Sequence, residues 1–264
     1  MKQIISEKNS QALGIDVGGS GIKGAVVDLA TGELETRRHR LRTPRLATPH
    51  AVAETVAELC GLLDWDGPVG CGFPAAVRDG VVLTAANIDD GWIGVDGKKL
   101  LSEVTGHRVR LVNDADAAGI AEMSMGAGKG LAGTVLVVTI GTGLGTALFV
   151  DGTLVPNTEL GHIEIKGVGA ELRASAAARE REGLSWKRWA RRFNRYLKAL
   201  ERLFWPDHFI LGGGAAKRFD RFEQHLQIGT PVVPAHFLNN AGIIGAAMHA
   251  TMNGEMGESP KVET

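Results

Sequence analysis

The sequence predicts an α/β protein built as two related lobes, on three observations. The first is a glycine-rich hairpin near the start, Leu13 to Asp28, in which two short apolar runs are joined by Gly18, Gly19, Ser20 and Gly21. The second is a repeat. Gly141 to Asp151, GTGLGTALFVD, overlays Gly18 to Asp28, GGSGIKGAVVD, without a gap, so that Gly18 falls on Gly141 and Asp28 on Asp151. The third is the alternation, through the rest of the chain, of short apolar runs with stretches of helical period.

A length of 264 residues allows one large domain or two lobes. With 44% hydrophobic and 22% charged residues the chain can build a sizeable core, which excludes a disordered protein. A net charge of −1 gives no pull toward nucleic acid or a membrane surface. Cys60 and Cys71 are too few for a disulfide framework, so a reducing cytoplasm is expected. The first eleven residues are polar, with no apolar stretch of the kind a secretory leader needs. Leu131 to Val150 carries no charge and is long enough to span a bilayer. Its glycines and its match to the first hairpin assign it instead to a buried hairpin.

The elements follow in order. After the first hairpin, Leu34 to Thr43 reads as an edge strand leading to a loop with Pro44 and Pro49. His50 to Leu63 has a helical period, and Pro68 to Phe73 is a buried strand ending at Pro74. Val81 to Asn87 follows, then a short helix over Lys99 to Thr105 and a strand over Arg108 to Val112. That strand delivers Asn113 and Asp114, after which small residues take up a helical period at once. Asp114 therefore sits where a strand gives way to a helix, a common place for ligands in α/β folds and equally a place for a helix cap. The second hairpin runs to Val155. Pro156 to Glu164 then packs hydrogen-bonding side chains around Gly161. Gly169 to Gly183 reads as one small-residue helix containing Glu171, Arg173 and Arg179. Trp186 to Phe204 is an amphipathic helix, apolar at three- and four-residue steps, with Lys187, Arg188, Arg191, Arg192 and Arg195 on the other face. Phe209 to Gly214 is a strand and a third glycine turn, Arg218 to Leu226 is helical, Val232 to Pro234 is extended, and a closing helix runs from about Asn239 to Met252.

The glycine turns point to phosphate. Glycines let backbone N–H groups approach an anion, and Lys23 adds a point charge. Asp16 would repel a phosphate directly, so a bridging divalent cation is the chemical reason for a carboxylate there. An ordinary glycine-rich hairpin with a surface lysine is the alternative. The spacing excludes a Walker loop, because Lys23 follows Ile22, and a dinucleotide fingerprint, because strand rather than helix follows the glycines. Three glycine turns in one chain suit a ligand with several phosphates. His162 with Glu159 and Glu164 has a metal-binding reading, which no HExxH spacing or nearby cysteine supports. The basic face of the tryptophan helix is either a solvated surface or a track for a polyanion.

Taken together, GIDVGGSGIKGA, CGFPA, TAANI, VNDADAAG, PNTELGH and the basic tryptophan helix resemble the ROK sugar kinases, over about residues 12 to 252. Within that family the motifs look most like the polyphosphate-dependent glucokinases, including the polyphosphate/ATP glucomannokinase branch. The resemblance implies a two-lobed actin-like ATPase (ribonuclease H-like) fold with a duplicated glycine-hairpin βββαβαβα-type core. It divides the chain into a smaller lobe of 12–113 plus 241–252, a larger lobe of 114–240, and tails of 1–11 and 253–264. It implies phosphorylation of glucose at the 6-hydroxyl from polyphosphate, leaving open mannose as a further sugar and ATP as a further donor.

The resemblance places Asp114 as the general base, and Asn87, Asn113, Asp114, Glu159, His162 and Glu171 on the sugar. Asp16, Gly18, Gly19, Ser20, Lys23, Gly141, Thr142, Gly143 and Gly213 would face the phosphates, with Asp16 reaching Mg²⁺ through water. Lys187, Arg188, Arg191, Arg192 and Arg195 are the candidate polyphosphate track. Many relatives hold a structural zinc with a histidine and three cysteines. Here Ile163 and Glu164 follow His162 and no cysteine follows Cys71, so no structural zinc is expected. The resemblance further implies a homodimer without nucleic acid or membrane partners. A strictly ATP-dependent hexose kinase and a non-catalytic sugar-binding regulator are the competing readings.

Overall fold

The structure is a computed structural model that describes residues 10–86 and 88–252. The chain divides into two compact units, one running to Asn113 and resuming at Ala246, the other Asp114–Gly245.

In the first unit, β1 (Gln11–Gly18) and β2 (Gly21–Asp28) pair antiparallel with Gly18 opposite Gly21. Then come β3 (His39–Leu41), α1 (Pro49–Leu62), β4 (Val69–Phe73), the small ribbon of β5 (Val77–Arg78) and β6 (Val81–Val82), α2 (Gly97–Thr105) and β7 (Val109–Asn113). The sheet order is β3-β2-β1-β4-β7, antiparallel across the hairpin and parallel from β1 through β4 to β7. Strand alternation puts Leu13, Ile15 and Val17 on one face, where they share a buried cluster with Val52, Val56 and Leu59 of α1. Asp16 lies on the alternate register. Asp96 caps α2 by accepting from the Lys99 N–H at 2.8 Å, and Gly106 ends it in the left-handed region.

The second unit opens with α3 (Asp114–Met125), β8 (Thr134–Ile140), β9 (Leu144–Val150) and β10 (Thr153–Val155). It continues through α4 (Glu171–Ala174), α5 (Ala176–Arg181), α6 (Trp186–Phe204), β11 (His208–Gly212), α7 (Gly213–Ala216), β12 (Val232–Pro234) and α8 (Ala241–Thr251). Its sheet order is β10-β9-β8-β11-β12, with the same sequence of antiparallel and parallel pairings as the first sheet. The repeat legible in one hairpin thus extends to a whole five-stranded sheet. Leu136, Val138 and Ile140 of β8 share a core with Trp189, Phe193, Tyr196, Leu197 and Leu200 of α6. Each fully buried side chain of that size contributes about 1.5–3 kcal/mol. Leu131 to Val150 is occupied by β8 and β9, and among the described residues no helix is long and apolar enough to cross a membrane.

Three expectations need correction. Gly169 to Gly183 is not one helix, because Ser175 is extended and its side chain accepts from the Ala178 N–H at 3.1 Å, starting α5 afresh. Arg218 to Leu226 is two single 3₁₀ turns, Phe219–Arg221 and Glu223–His225. Phe222 breaks the run between them, its buried ring stacking on Trp186 and meeting Trp189 edge-on. The last helix does not belong wholly with the first unit. The division falls between Gly245 and Ala246, since Gly245 packs against Ala117 of α3. The expected tail from 253 lies outside the described residues.

Candidate active site

In the first unit the glycine hairpin is braced by side chains. Asp16 and Lys23 are cross-strand partners, and the Lys23 ammonium donates to Asp16 Oδ2 at 3.0 Å. The lysine charge is therefore already engaged. Thr43 donates to the Gly18 carbonyl at 2.5 Å, and Arg40 donates to the Ser20 carbonyl at 2.7 Å. With both carbonyls tied back, Gly19 and Ser20 stay exposed at the tip. A cavity of about 330 Å³ opens beside Gly18 and Gly19, walled by Thr43, Arg45, Pro74 and Asp89. Asn113, at the end of β7, is buried and donates to the Ala75 carbonyl at 3.0 Å. Asn87 lies outside the described residues.

The second unit carries the remaining candidate residues. Asp114 is the first residue of α3, at the positive end of a 12-residue helix, and its Oδ1 accepts from the Ala115 N–H at 2.8 Å. Glu159, His162 and Glu171 come together. His162 lies 3.5 Å from Glu171 through Nε2 and 4.0 Å from Glu159 through Nδ1. Burial raises the Glu159 carboxyl above its ordinary range, His162 pulls the other way, and Glu171 adds to the rise. Glu171 also accepts from the Leu144 N–H at 3.4 Å, directly after Gly143. A residue assigned to sugar and a turn assigned to phosphate thus meet at one carboxylate. Behind the Glu159 block, Thr146 is buried and donates to the Thr158 carbonyl while accepting from the Leu160 N–H at 3.1 Å.

Gly141, Thr142 and Gly143 form the turn between β8 and β9, and the Gly141 carbonyl accepts from the Ala176 and Ala177 N–H groups. Gly213 follows β11 with φ 76°, and a Cβ there would lie 2.6 Å from the Ile140 nitrogen. Only glycine fits that conformation and that approach. On α6, Lys187, Arg188, Arg191 and Arg195 are exposed, whereas Arg192 makes a two-pronged pair with Glu182 at 2.9 and 2.6 Å. That pair holds the Glu182 carboxyl below its ordinary range. Arg188, Arg191, Arg192 and Arg195 line a cavity of about 170 Å³ with Leu184.

Sequence reasoning missed Asp116. It is 1% exposed, accepts from the Asn157 N–H at 2.7 Å, and burial pushes its carboxyl up to about 7. An acid among alanines inside a helix was the available signal. Arg40 and Thr43, which hold the first turn, gave no signal beyond an ordinary edge strand. Among the described residues no group of three or more His, Cys, Asp or Glu side chains is placed to hold a metal ion.

Two sheets of one strand order, each opening with a glycine hairpin, and a carboxylate where a strand meets a helix define the actin-like ATPase class. The sequence pattern of the ROK family matches residues 12–178, and the chain belongs to that family. It is 50% identical over 236 residues to a polyphosphate glucokinase of Mycobacterium tuberculosis, covering 89% of each chain. The inorganic polyphosphate/ATP-glucomannokinase of Arthrobacter sp. strain KM superposes with a TM-score of 0.89 at 49% identity, over 91% of this chain and 98% of that one. A ROK family glucokinase from Streptomyces griseus, solved with glucose and AMPPNP, gives a TM-score of 0.78 at 25% identity, over 90% and 98%.

Proposed function

We propose that this chain is a glucose kinase that transfers the terminal phosphoryl group of inorganic polyphosphate to the 6-hydroxyl of glucose. The observation that carries this is Asp114 at the head of α3 in the same unit as the Glu159, His162 and Glu171 cluster, in a chain half identical to a polyphosphate glucokinase. Asp114 accepts the hydroxyl proton as the sugar oxygen attacks phosphorus. The bond to the bridging oxygen breaks, and polyphosphate leaves shortened by one unit. Asn113, Glu159, His162 and Glu171 orient the sugar hydroxyls, which is where much of the rate in phosphoryl transfer arises.

The glycine turns bind the donor. Asp16 is a single carboxylate braced on a strand, which fits Mg²⁺, an ion usually held by one or two carboxylates together with substrate phosphates and water. When bound, Mg²⁺ would neutralise charge on the transferring group. ATP as a second donor and mannose as a second sugar are favoured by the likeness to the polyphosphate/ATP-glucomannokinase of Arthrobacter. The test is a donor comparison on purified protein, polyphosphate against ATP, with glucose or mannose as acceptor. Glucose 6-phosphate formed from polyphosphate supports the reading. Formation from ATP alone makes the chain a strictly ATP-dependent hexose kinase, and formation from neither leaves a sugar-binding regulator.

A further inference from the structure

His162 and Glu171 are joined by a short hairpin that the sugar assignment does not explain. Ala170 donates its N–H to the Ile163 carbonyl and Ile165 donates to the Val168 carbonyl, each at 2.9 Å, and Glu164 bridges to Gly169. Lys166 and Gly167 form its turn, at φ 57° and 72°. The hairpin, α4 and α6 border a cavity of about 40 Å³. One water needs about 10–15 Å³. Lys166 and Val168 of the hairpin, Arg173 of α4, and Arg192, Arg195 and Tyr196 of α6 line it.

Four of those side chains are cations. Arg192 is answered by Glu182 at 2.6 Å, and that carboxylate is near enough to feel Arg173 as well. Lys166, Arg173 and Arg195 are exposed and have no ion-pair partner within 4 Å among the described residues. Tyr196 is fully buried, and its hydroxyl has no hydrogen-bond partner among the described residues. A buried hydroxyl that nothing meets is costly, and native proteins seldom keep one without a reason. Burial first, and the nearby Glu171 charge second, hold the phenol above its ordinary range, so it stays protonated and can donate. A buried donor and several cations around one small cavity complement an oxyanion. Guanidinium forks suit phosphate oxygens in geometry as well as charge. A cavity of this size takes one small anion and not a nucleotide or a polymer, and none of its lining residues belongs to a glycine turn.

We propose that the cavity between the 163–170 hairpin, α4 and α6 binds one free phosphate-sized oxyanion, orthophosphate, as an effector of sugar binding. The anion ties Lys166, on the hairpin between His162 and Glu171, and Arg173, two residues past Glu171, to Arg195 and Tyr196 on α6. That helix is itself packed on β8 through Trp189, Phe193 and Tyr196. The anion thereby fastens both ends of the His162 and Glu171 pair to a rigid element. If it favours the sugar-binding arrangement, glucose must tighten the anion by the factor with which the anion tightens glucose. The inference rests on Glu159, His162 and Glu171 binding glucose.

The test is calorimetry in a phosphate-free buffer. Orthophosphate is titrated into the wild type, Y196F, R173Q and R202Q, with and without glucose, and glucose is titrated with and without orthophosphate. Tyr196→Phe removes only the hydroxyl, Arg173 is exposed, and Arg202 is an exposed cation of α6 outside the cavity. Saturating orthophosphate should tighten glucose about five-fold in the wild type, with the same gain for orthophosphate when glucose is present. Y196F and R173Q should each weaken orthophosphate about ten-fold and abolish the coupling, whereas R202Q should behave as the wild type. Should Y196F melt well below the wild type, R173Q at its exposed position decides alone. Binding and coupling that survive both cavity variants would move the anion to the donor turns and overturn the proposal. So would the absence of coupling in the wild type, or an equal loss in R202Q. Glycerol 3-phosphate is titrated in parallel, and stronger coupling from it than from orthophosphate overturns the free-anion assignment in favour of a phosphate monoester. A wild type that binds orthophosphate with these variant effects but binds no glucose overturns the sugar reading instead and leaves the anion site standing.

Discussion

The Asp116 carboxylate accepts the backbone N–H of Asn157 at 2.7 Å, tying α3 to the segment that carries Glu159. Asn157 stands at φ 59°, in the left-handed region that asparagine tolerates better than most residues. The contact sets the start of the block that ends in His162, so Asp116 positions that block from beneath.

Burial pushes the Asp116 carboxyl from 3.8 up to about 7. A folded-state value above the unfolded one means the native state binds the extra proton between those values. This contribution to stability is complete below about pH 3.8 and is lost as pH rises through about 7. In that window one such proton gives a slope of up to about 1.4 kcal/mol per pH unit. Asp116→Asn keeps an acceptor for Asn157 and removes the titration. Its thermal midpoint should fall less than the wild type's between pH 5 and 7.5, as read by calorimetry. Parallel curves would show that Asp116 titrates normally.

Asp114→Asn should lower kcat by roughly 100- to 10,000-fold with little change in glucose affinity, because shape and a hydrogen-bonding group remain while the proton acceptor is gone. Glucose binding by calorimetry separates this from misfolding. A folded variant turning over near the normal rate would remove Asp114 from the chemistry.

Gly213→Ala combines a left-handed φ with a Cβ placed 2.6 Å from the nitrogen of Ile140. It should cost about 2 kcal/mol or more in unfolding free energy and reduce activity by shifting the third turn. Gly214→Ala is the control. A Cβ there meets nothing within 4 Å, and its midpoint in denaturant should match the wild type.

The two thiols give a fourth prediction. Cys60 and Cys71 are both buried in the first unit's core, and burial holds the Cys60 thiol up at about 11 and raises Cys71 as well. Neither is poised to ligate a metal as a thiolate. Purified protein should carry no stoichiometric zinc by elemental analysis, and prolonged exposure to a strong chelator should leave its melting temperature unchanged. One tightly held zinc per chain would contradict this.

What the sequence made legible was local and periodic. The ungapped match of the two glycine hairpins pointed to duplication, and the spacing of Trp186, Trp189, Phe193 and Leu200 located α6 from its first residue to its last. Asp114 was readable because a strand pattern stops and a helical one starts on either side of it. Contacts between distant segments were not readable. Nothing near Asp116 announces that it meets Asn157, and Arg218 and Arg221 reach a common groove with Arg179 only through the fold. Ser175 split a run of alanines that propensity alone would have kept as one helix, because its hydroxyl starts a new helix better than it continues an old one. Lys23 is legible as a point charge beside the first glycine turn, and only the strand register shows that this charge sits against Asp16.

That register yields the last prediction. Asp16 and Lys23 are 20% and 29% exposed in their side chains and 3.0 Å apart, so the pair is partly solvated and contributes little to stability. Its importance would lie in catalysis. Lys23→Met frees Asp16 from its partner and takes a positive charge from the first glycine turn. Asp16→Asn removes the one carboxylate proposed for Mg²⁺. The hairpin is assigned to the reacting end of the donor, which polyphosphate and ATP share, so both substitutions should impair both donors to a similar extent. Asp16→Asn should also raise the Mg²⁺ concentration for half-maximal activity several-fold, while melting temperatures stay near the wild type's. Measuring the two variants on both donors therefore tests whether this hairpin holds the phosphate that the donors share. If Lys23→Met impaired one donor and spared the other, the first hairpin would not hold the phosphate common to both.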